Sequence, residues 1–298
     1  MTLVVGASAH GSPGVSTALQ LVAVSLGQGS DVPVVVEADA AGGVLAARYE
    51  LGLTPGFVTL AESLRKAETP PLLDHAQRLP SGVACVPLSP SATAAGAQLR
   101  SAGPYLGAYL RDSGQPVLLD AGTVVPDGKV VPAMTAADLL LWFVRPTREE
   151  LLVLRHRLAE CPQPDRVAIV LVGDTPYNAD QVSEALDVDV LHTLPIDPRG
   201  AAAVNLGGDD RYLRRSQLAR SCAQLASLVT ARVAACAGGP KRPAPRAQRP
   251  PSEPMPARQE PLPPPPEPAD ELRVWTLDES EAQDPTDPPL VVWVNDAD

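Results

Sequence analysis

The sequence predicts an α/β fold, a doubly wound and mostly parallel sheet, followed by a disordered Pro-rich C-terminal tail. Three observations carry that prediction. Seven short apolar runs, at residues 3–5, 32–36, 83–86, 117–119, 139–144, 167–172 and 190–194, are continuous instead of alternating, which is the pattern of strands buried on both faces. Helical periodicity separates many of them, at 17–26, 92–111, 148–160, 179–186 and 214–235. Strand alternating with helix gives a parallel sheet wrapped on both sides through right-handed crossovers. Proline is spread unevenly, with 16 of the 34 lying after Gly239.

The first run, Leu3-Val4-Val5, leads into His10-Gly11-Ser12-Pro13-Gly14-Val15-Ser16-Thr17, where the first helix begins. Strand, Gly-rich turn and helix in this order is the place of a P-loop, whose backbone N–H groups cradle phosphates at a helix N-terminus. Ligands of such sheets sit at the carboxyl ends of the strands, so the residues after each run matter most. The second run ends in Glu37-Ala38-Asp39 and the fourth in Asp120-Ala121-Gly122. The fifth is followed by Arg145-Pro146-Thr147, the sixth by Gly173-Asp174 and the seventh by Pro195-Ile196-Asp197-Pro198-Arg199. Acidic residues ending two strands and facing a Gly-rich loop on a third make the layout of a Mg-nucleotide site, so the fold expected is P-loop NTPase-like. The last helix puts Leu218, Cys222, Leu225 and Val229 on one face. That stripe is expected to pack on the sheet, not to lie on a membrane.

Composition divides the chain into a P-loop domain at 1–237, a Pro-rich linker at 238–269 and an acidic tail at 270–298. The first 239 residues carry a net charge of −5, residues 240–258 carry +4, and residues 259–298 carry −10. Most of the acidity therefore belongs to the tail, which argues against nucleic-acid binding there. Beyond residue 239 there is too little apolar matter to repay ordering. Cys85, Cys161, Cys222 and Cys236 have no CxxC spacing, and His75, His156 and His192 form no ligand set, so idle thiols and ordinary histidines are expected. No signal peptide or membrane span is expected, and the localisation expected is cytoplasmic. Arginine outnumbers lysine 21 to 3, a bias associated with GC-rich bacterial genomes.

Over residues 1–236 the chain resembles the ParA/MinD class of P-loop ATPases, which carry a deviant Walker A loop reading Lys-Gly-Gly-x-Gly-Lys-Ser/Thr-Thr. The matching positions are His10, Gly11, Ser12, Pro13, Gly14, Val15, Ser16 and Thr17; two glycines and both hydroxyls match, and both lysines do not. Glu37 and Asp39 match the family's acidic switch pair, and Asp120 matches its Walker B aspartate. The Leu-Pro-Ile-Asp ending at Asp197 is similar to its late segment beside base and ribose. The family's base-reading Asn is replaced by Gly173 and Asp174. The resemblance is closest to a GC-rich actinobacterial branch whose loop reads Gly-Ser-Pro-Gly-Val-Ser/Thr-Thr, encoded beside Tad-type pilus or secretion ATPases.

The resemblance implies ATP or ADP with Mg²⁺ as ligand, Gly11, Ser12, Gly14, Val15, Ser16, Thr17 and Asp197 as nucleotide contacts, and Ser16, Asp39 and Asp120 as metal ligands. It also implies a homodimer. The missing lysines change the expectation. Without them only Mg²⁺, loop N–H groups and a helix dipole of about 0.3–2 kcal/mol face the phosphates, against about 3–5 kcal/mol for a desolvated charge pair. Pro13 deletes one N–H, and Val15 is expected to set an apolar side chain where phosphate oxygen would lie. Nucleotide binding is therefore expected to be weak or lost, with no catalytic residue. The function expected is a non-hydrolysing or weakly binding regulator or positioning partner of a larger bacterial machine. The alternative is an active ATPase that switches between monomer and dimer in chromosome partitioning or septum placement, with Asp39 as its catalytic residue. In the tail, Val274-Trp275-Thr276-Leu277-Asp278 and Val292-Trp293-Val294-Asn295-Asp296 repeat Val-Trp-x-x-Asp. Such β-prone islands suit strand addition to a protein partner.

Overall fold

Chain order and spatial order part company in the sheet, and that is what opens the site. The computed structural model describes residues 2–27, 32–125, 128–161, 163–207, 213 and 215–238. In chain order its strands are β1 (Leu3–Ser8), β2 (Val34–Glu37), β3 (Gln77–Arg78), β4 (Ala84–Val86), β5 (Val117–Thr123), β6 (Leu139–Val144), β7 (Val167–Val172) and β8 (Val190–Leu194). Across the sheet they run β3-β4-β2-β5-β1-β6-β7-β8. All pairs are parallel except β3 with β4. β1 therefore has β5 on one side and β6 on the other, with Gly6 level with Asp120 and Leu141. The chain winds outward to β4, returns to β5 and then crosses β1 to β6. Where the winding reverses, loops separate and leave a crevice.

The seven apolar runs are seven of these strands. All six residues of β1 are buried, and their alternation feeds two cores. Leu3 and Val5 join Val36, Phe57, Leu99 and Trp142 on one face; Val4 joins Leu19, Val35, Leu118, Phe143 and Leu225 on the other. β3 was not expected. It is two residues long, with no apolar pattern to announce it.

The helices are α1 (Val15–Leu26), α2 (Leu45–Arg48), α3 (Phe57–Arg65), α4 (Ala92–Ala102), α5 (Tyr105–Asp112), α6 (Val131–Met134), α7 (Arg148–Ala159), α8 (Ala179–Leu186), α9 (Pro198–Asn205) and α10 (Gln217–Gly238). The single helix expected over 92–111 is two. Gly103 ends α4 at φ 54 and Pro104 opens α5, the usual stop and start residues. α2, α3, α6 and α9 were not expected; α2 and α6, at four residues each, are too short for periodicity to show. α10 packs against α1 and β8 with Cys222 and Leu225 fully buried, so its apolar stripe is core. No described helix is long and apolar enough to cross a membrane. The four cysteines are free thiols. Gly208, Arg214 and everything from residue 239, including the Pro-rich linker, Trp275 and Trp293, lie outside the described residues.

Candidate phosphate and magnesium site

The turn from β1 to α1 has the shape its glycines require. Gly11 at φ 64 and Gly14 at φ 97 are left-handed, a region that side chains with a Cβ avoid. Gly14 is the N-cap of α1 and brings no side-chain acceptor, so the N–H groups of Val15, Ser16 and Thr17 have no partner among the described residues. The carbonyls, by contrast, are held. Thr123 Oγ1 and Ser8 Oγ donate to the Gly11 carbonyl at 2.9 and 3.2 Å, and Arg145 Nη2 donates to the Ser12 carbonyl at 3.1 Å. C=O and N–H point in opposite directions across a trans peptide, so pinning the Gly11 carbonyl onto Thr123 turns the Ser12 N–H the other way.

Val15 corrects the expectation placed on it. Its side chain is 5 % exposed and packs in the core with Leu19, against the bare face of Gly6. It contributes an N–H to the loop and no obstruction. Thr17 is also turned inward, its hydroxyl donating to Asn205 Oδ1 at 3.1 Å. Gly11, Ser12 and Gly14 are exposed, Ser16 is half-buried, and His10 is exposed at the loop's edge.

The acidic residues fall into two roles. Asp120, 2 % exposed, is hydrogen-bonded to the Ser16 side chain and accepts from the Gly122 N–H at 3.1 Å. Burial pushes its carboxyl up to about 6, against the pull of those two bonds. Asp39 lies against Gly122, where a Cβ would collide with its carboxylate, and accepts from the Ala41 N–H at 2.8 Å. Burial raises its carboxyl as well. Two desolvated carboxylates beside a hydroxyl are hard oxygen donors short of a cation, which fits Mg²⁺. Among the described residues no three His, Cys, Asp or Glu side chains converge on a metal position. The oxygen donors gathered here are two acids and Ser16.

Glu37 does not pair with Asp39. Its Oε1 accepts from the N–H groups of Val44 and Leu45 at 2.6 and 2.9 Å, and its Oε2 from Leu88 at 3.0 Å. It thereby ties the segment after β2, and the start of α2, to the end of β4. Burial pushes its carboxyl up to about 7 despite those three bonds. Asp197 is likewise occupied, accepting from the N–H groups of Gly200 at 2.8 Å and Leu218 at 3.2 Å, and so joins α9 to α10. Both acids hold loops in place, and neither offers a free carboxylate to ligand.

Arg145 is the residue the sequence reading passed over. Its only signal was its place directly after a strand beside β1. Lys66 pairs with Glu62 on α3 at 2.8 Å, and Lys129 lies against Gly96 of α4, so neither replaces the loop lysines. His192 Nε2 lies 2.8 Å from Ser221 Oγ, Ser221 also reaches the Thr193 carbonyl, and the pair fastens α10 onto β8.

No protein-family profile matches the chain, and no curated protein sequence does. Solved structures match its fold. A ParA family ATPase from Chlorobium tepidum is similar at TM-score 0.63 and 20 % identity over 75 % of this chain and 98 % of that one. The cell division ATPase MinD of Pyrococcus furiosus is similar at TM-score 0.62 and 16 % identity, covering 78 % and 99 %. The septum site-determining protein MinD of Pyrococcus horikoshii, solved with Mg-ADP, is similar at 0.61 and 18 %, covering 76 % and 95 %. The described chain has the ParA/MinD fold, an eight-stranded, mostly parallel sheet with its Gly-rich loop at the carboxyl end of β1.

Proposed function

We propose that this chain is a degenerate ParA/MinD-type protein of the actinobacterial branch that holds Mg-nucleotide weakly, does not hydrolyse it, and acts in the cytoplasm as a regulator or positioning partner of a larger machine. One observation carries the reading: the loop and the acid–hydroxyl set are intact, while neither loop lysine is present and no described lysine replaces them. The chain's own groups divide the work. The N–H groups of the loop and of the first turn of α1 would bind phosphate oxygen, while Ser16, Asp39 and Asp120 would hold Mg²⁺, which screens phosphate charge when bound. Thr123 and Ser8 keep the Gly11 carbonyl turned away. What is missing is a lysine reaching the β/γ-phosphates, the feature that stabilises charge as the terminal phosphate leaves.

A Tad-type pilus or secretion ATPase is the partner we propose, engaged through Trp275 and Trp293. Truncating a buried interface Trp to Ala typically costs ~2 kcal/mol or more. The double change to Ala is expected to abolish capture of that purified ATPase and leave body melting unmoved; capture unchanged would remove the tail from the account. The nucleotide half is tested by phosphate release from Mg-ATP. No release above buffer is expected, whereas sustained release abolished by Asp39→Ala would establish the active, monomer–dimer ATPase instead.

A further inference from the structure

The loop has no lysine, yet a cation reaches it from the neighbouring strand. β6 runs beside β1, with Phe143 level with Ser8, so the residue leaving β6 emerges at the loop. That residue is Arg145. Its Nη2 donates to the Ser12 carbonyl at 3.1 Å, its Nη1 to Glu150 Oε1 at 3.0 Å, and its backbone N–H to Glu150 Oε2 at 2.8 Å. Nη1 stands 3.6 Å from the point a Cβ on Gly11 would occupy, ordinary contact distance, so the guanidinium lies against the loop at Gly11 as well as Ser12.

Glu150 is built to hold it. It is 6 % exposed, sits in the first turn of α7, and donates its own N–H to the N-cap Thr147 at 3.3 Å. With both carboxylate oxygens engaged by one arginine, the fork is fixed in direction. A guanidinium has five donors. Two are used here, and the Arg145 side chain remains 45 % exposed. Charge and unused donors are thus presented beside a loop and helix start whose Val15, Ser16 and Thr17 N–H groups have no acceptor among the described residues.

We propose that Arg145 is the phosphate-binding cation of this site, supplied from the β6–α7 turn in place of the loop lysines, with Glu150 as the positioning residue that aims it and tempers its charge. The ligand class is a linear phosphate chain, in a nucleoside di- or triphosphate or free. The inference rests on the nucleotide reading above and explains why affinity there is weak without being absent, since a cation already shared with a buried carboxylate attracts phosphate less than a free lysine.

The test is calorimetry on the full chain with Mg-ADP, Mg-ATP and inorganic tripolyphosphate, comparing wild type with Arg145→Met, Arg145→Lys and Glu150→Gln. Arg145→Met is expected to weaken Mg-ATP and tripolyphosphate by at least about tenfold, and Arg145→Lys, which keeps charge without the fork, by less. Glu150→Gln is expected to tighten both, because it releases the arginine's charge; a purely structural brace cannot produce that sign. If Arg145→Met does not fold, the other two variants decide. Wild-type binding with Glu150→Gln neutral or weaker, or with Arg145→Met unchanged, overturns the inference and leaves the nucleotide reading standing. Wild type that binds none of the three at millimolar concentration ends both.

Discussion

The two flanks of the phosphate loop have fared differently. On the β2–β5 flank Asp120 is buried, Ser16 and Asp39 are half-buried, Gly122 lies against both acids, and Glu37 fixes the segment that follows β2. In the loop itself His10 and Val15 stand where the resemblance puts lysines and Val15 is in the core, while on the β6 flank the Arg145–Glu150 pair reaches the loop at Ser12. Binding of a metal-bound phosphate and stabilisation of charge in transfer are separable tasks. On the function proposed above, this chain has the parts for the first and lacks those for the second.

That contrast can be broken most forcefully through Glu37. Glu37→Ala leaves the N–H groups of Val44, Leu45 and Leu88 without an acceptor, two of them buried at about 1–3 kcal/mol each, so a loss of at least about 2 kcal/mol is expected in denaturant unfolding. A loss under about 1 kcal/mol would mean that the metal flank is not a rigid frame. Val15→Ala comes next. As a core truncation it is expected to cost about 2 kcal/mol while Mg-ATP affinity stays put; a change in affinity without one in stability would return Val15 to the phosphate pocket. Asp120→Asn preserves shape and is expected to abolish the tightening of nucleotide binding by Mg²⁺, which titration with and without EDTA reads directly.

A proton supplies the finest distinction. Glu37 has its carboxyl raised from 4.5 to about 7 by burial, so the folded chain holds that proton more tightly than the unfolded chain. Its contribution to stability is fully present below the ordinary carboxylate range and is lost as pH rises towards 7. The Glu37 side-chain carbon is expected to titrate near neutrality by carbon-13 NMR. A midpoint in the ordinary range would mean that its three N–H partners outweigh burial and make it a fixed anion.

Much of this was legible in the residues. Continuous apolar runs placed seven strands because burial on both faces leaves no other pattern, and the loop, Asp39 and Asp120 followed from their positions after strands. What stayed hidden was the direction of side chains. The sequence could not show that Val15 turns inward, since Gly6, whose bare face receives it, lies nine residues earlier. Nor could it show that Glu37 and Asp197 spend their carboxylates on N–H groups of other segments, because hydrogen bonds of that range have no local signature. Arg145 was visible but unranked: an arginine after a strand is common, and only the sheet order brings it to Ser12.

Mg-ATP titration of the full chain by calorimetry, at physiological salt and with phosphate release followed in the same sample, tests the central claim most directly. Affinity weaker than ~10⁻⁴ M, equivalent to less than ~5.5 kcal/mol of binding, strengthened by Mg²⁺ and with no release above buffer, is the result expected of an intact metal flank beside a lost lysine flank. Micromolar affinity accompanied by steady turnover would contradict it.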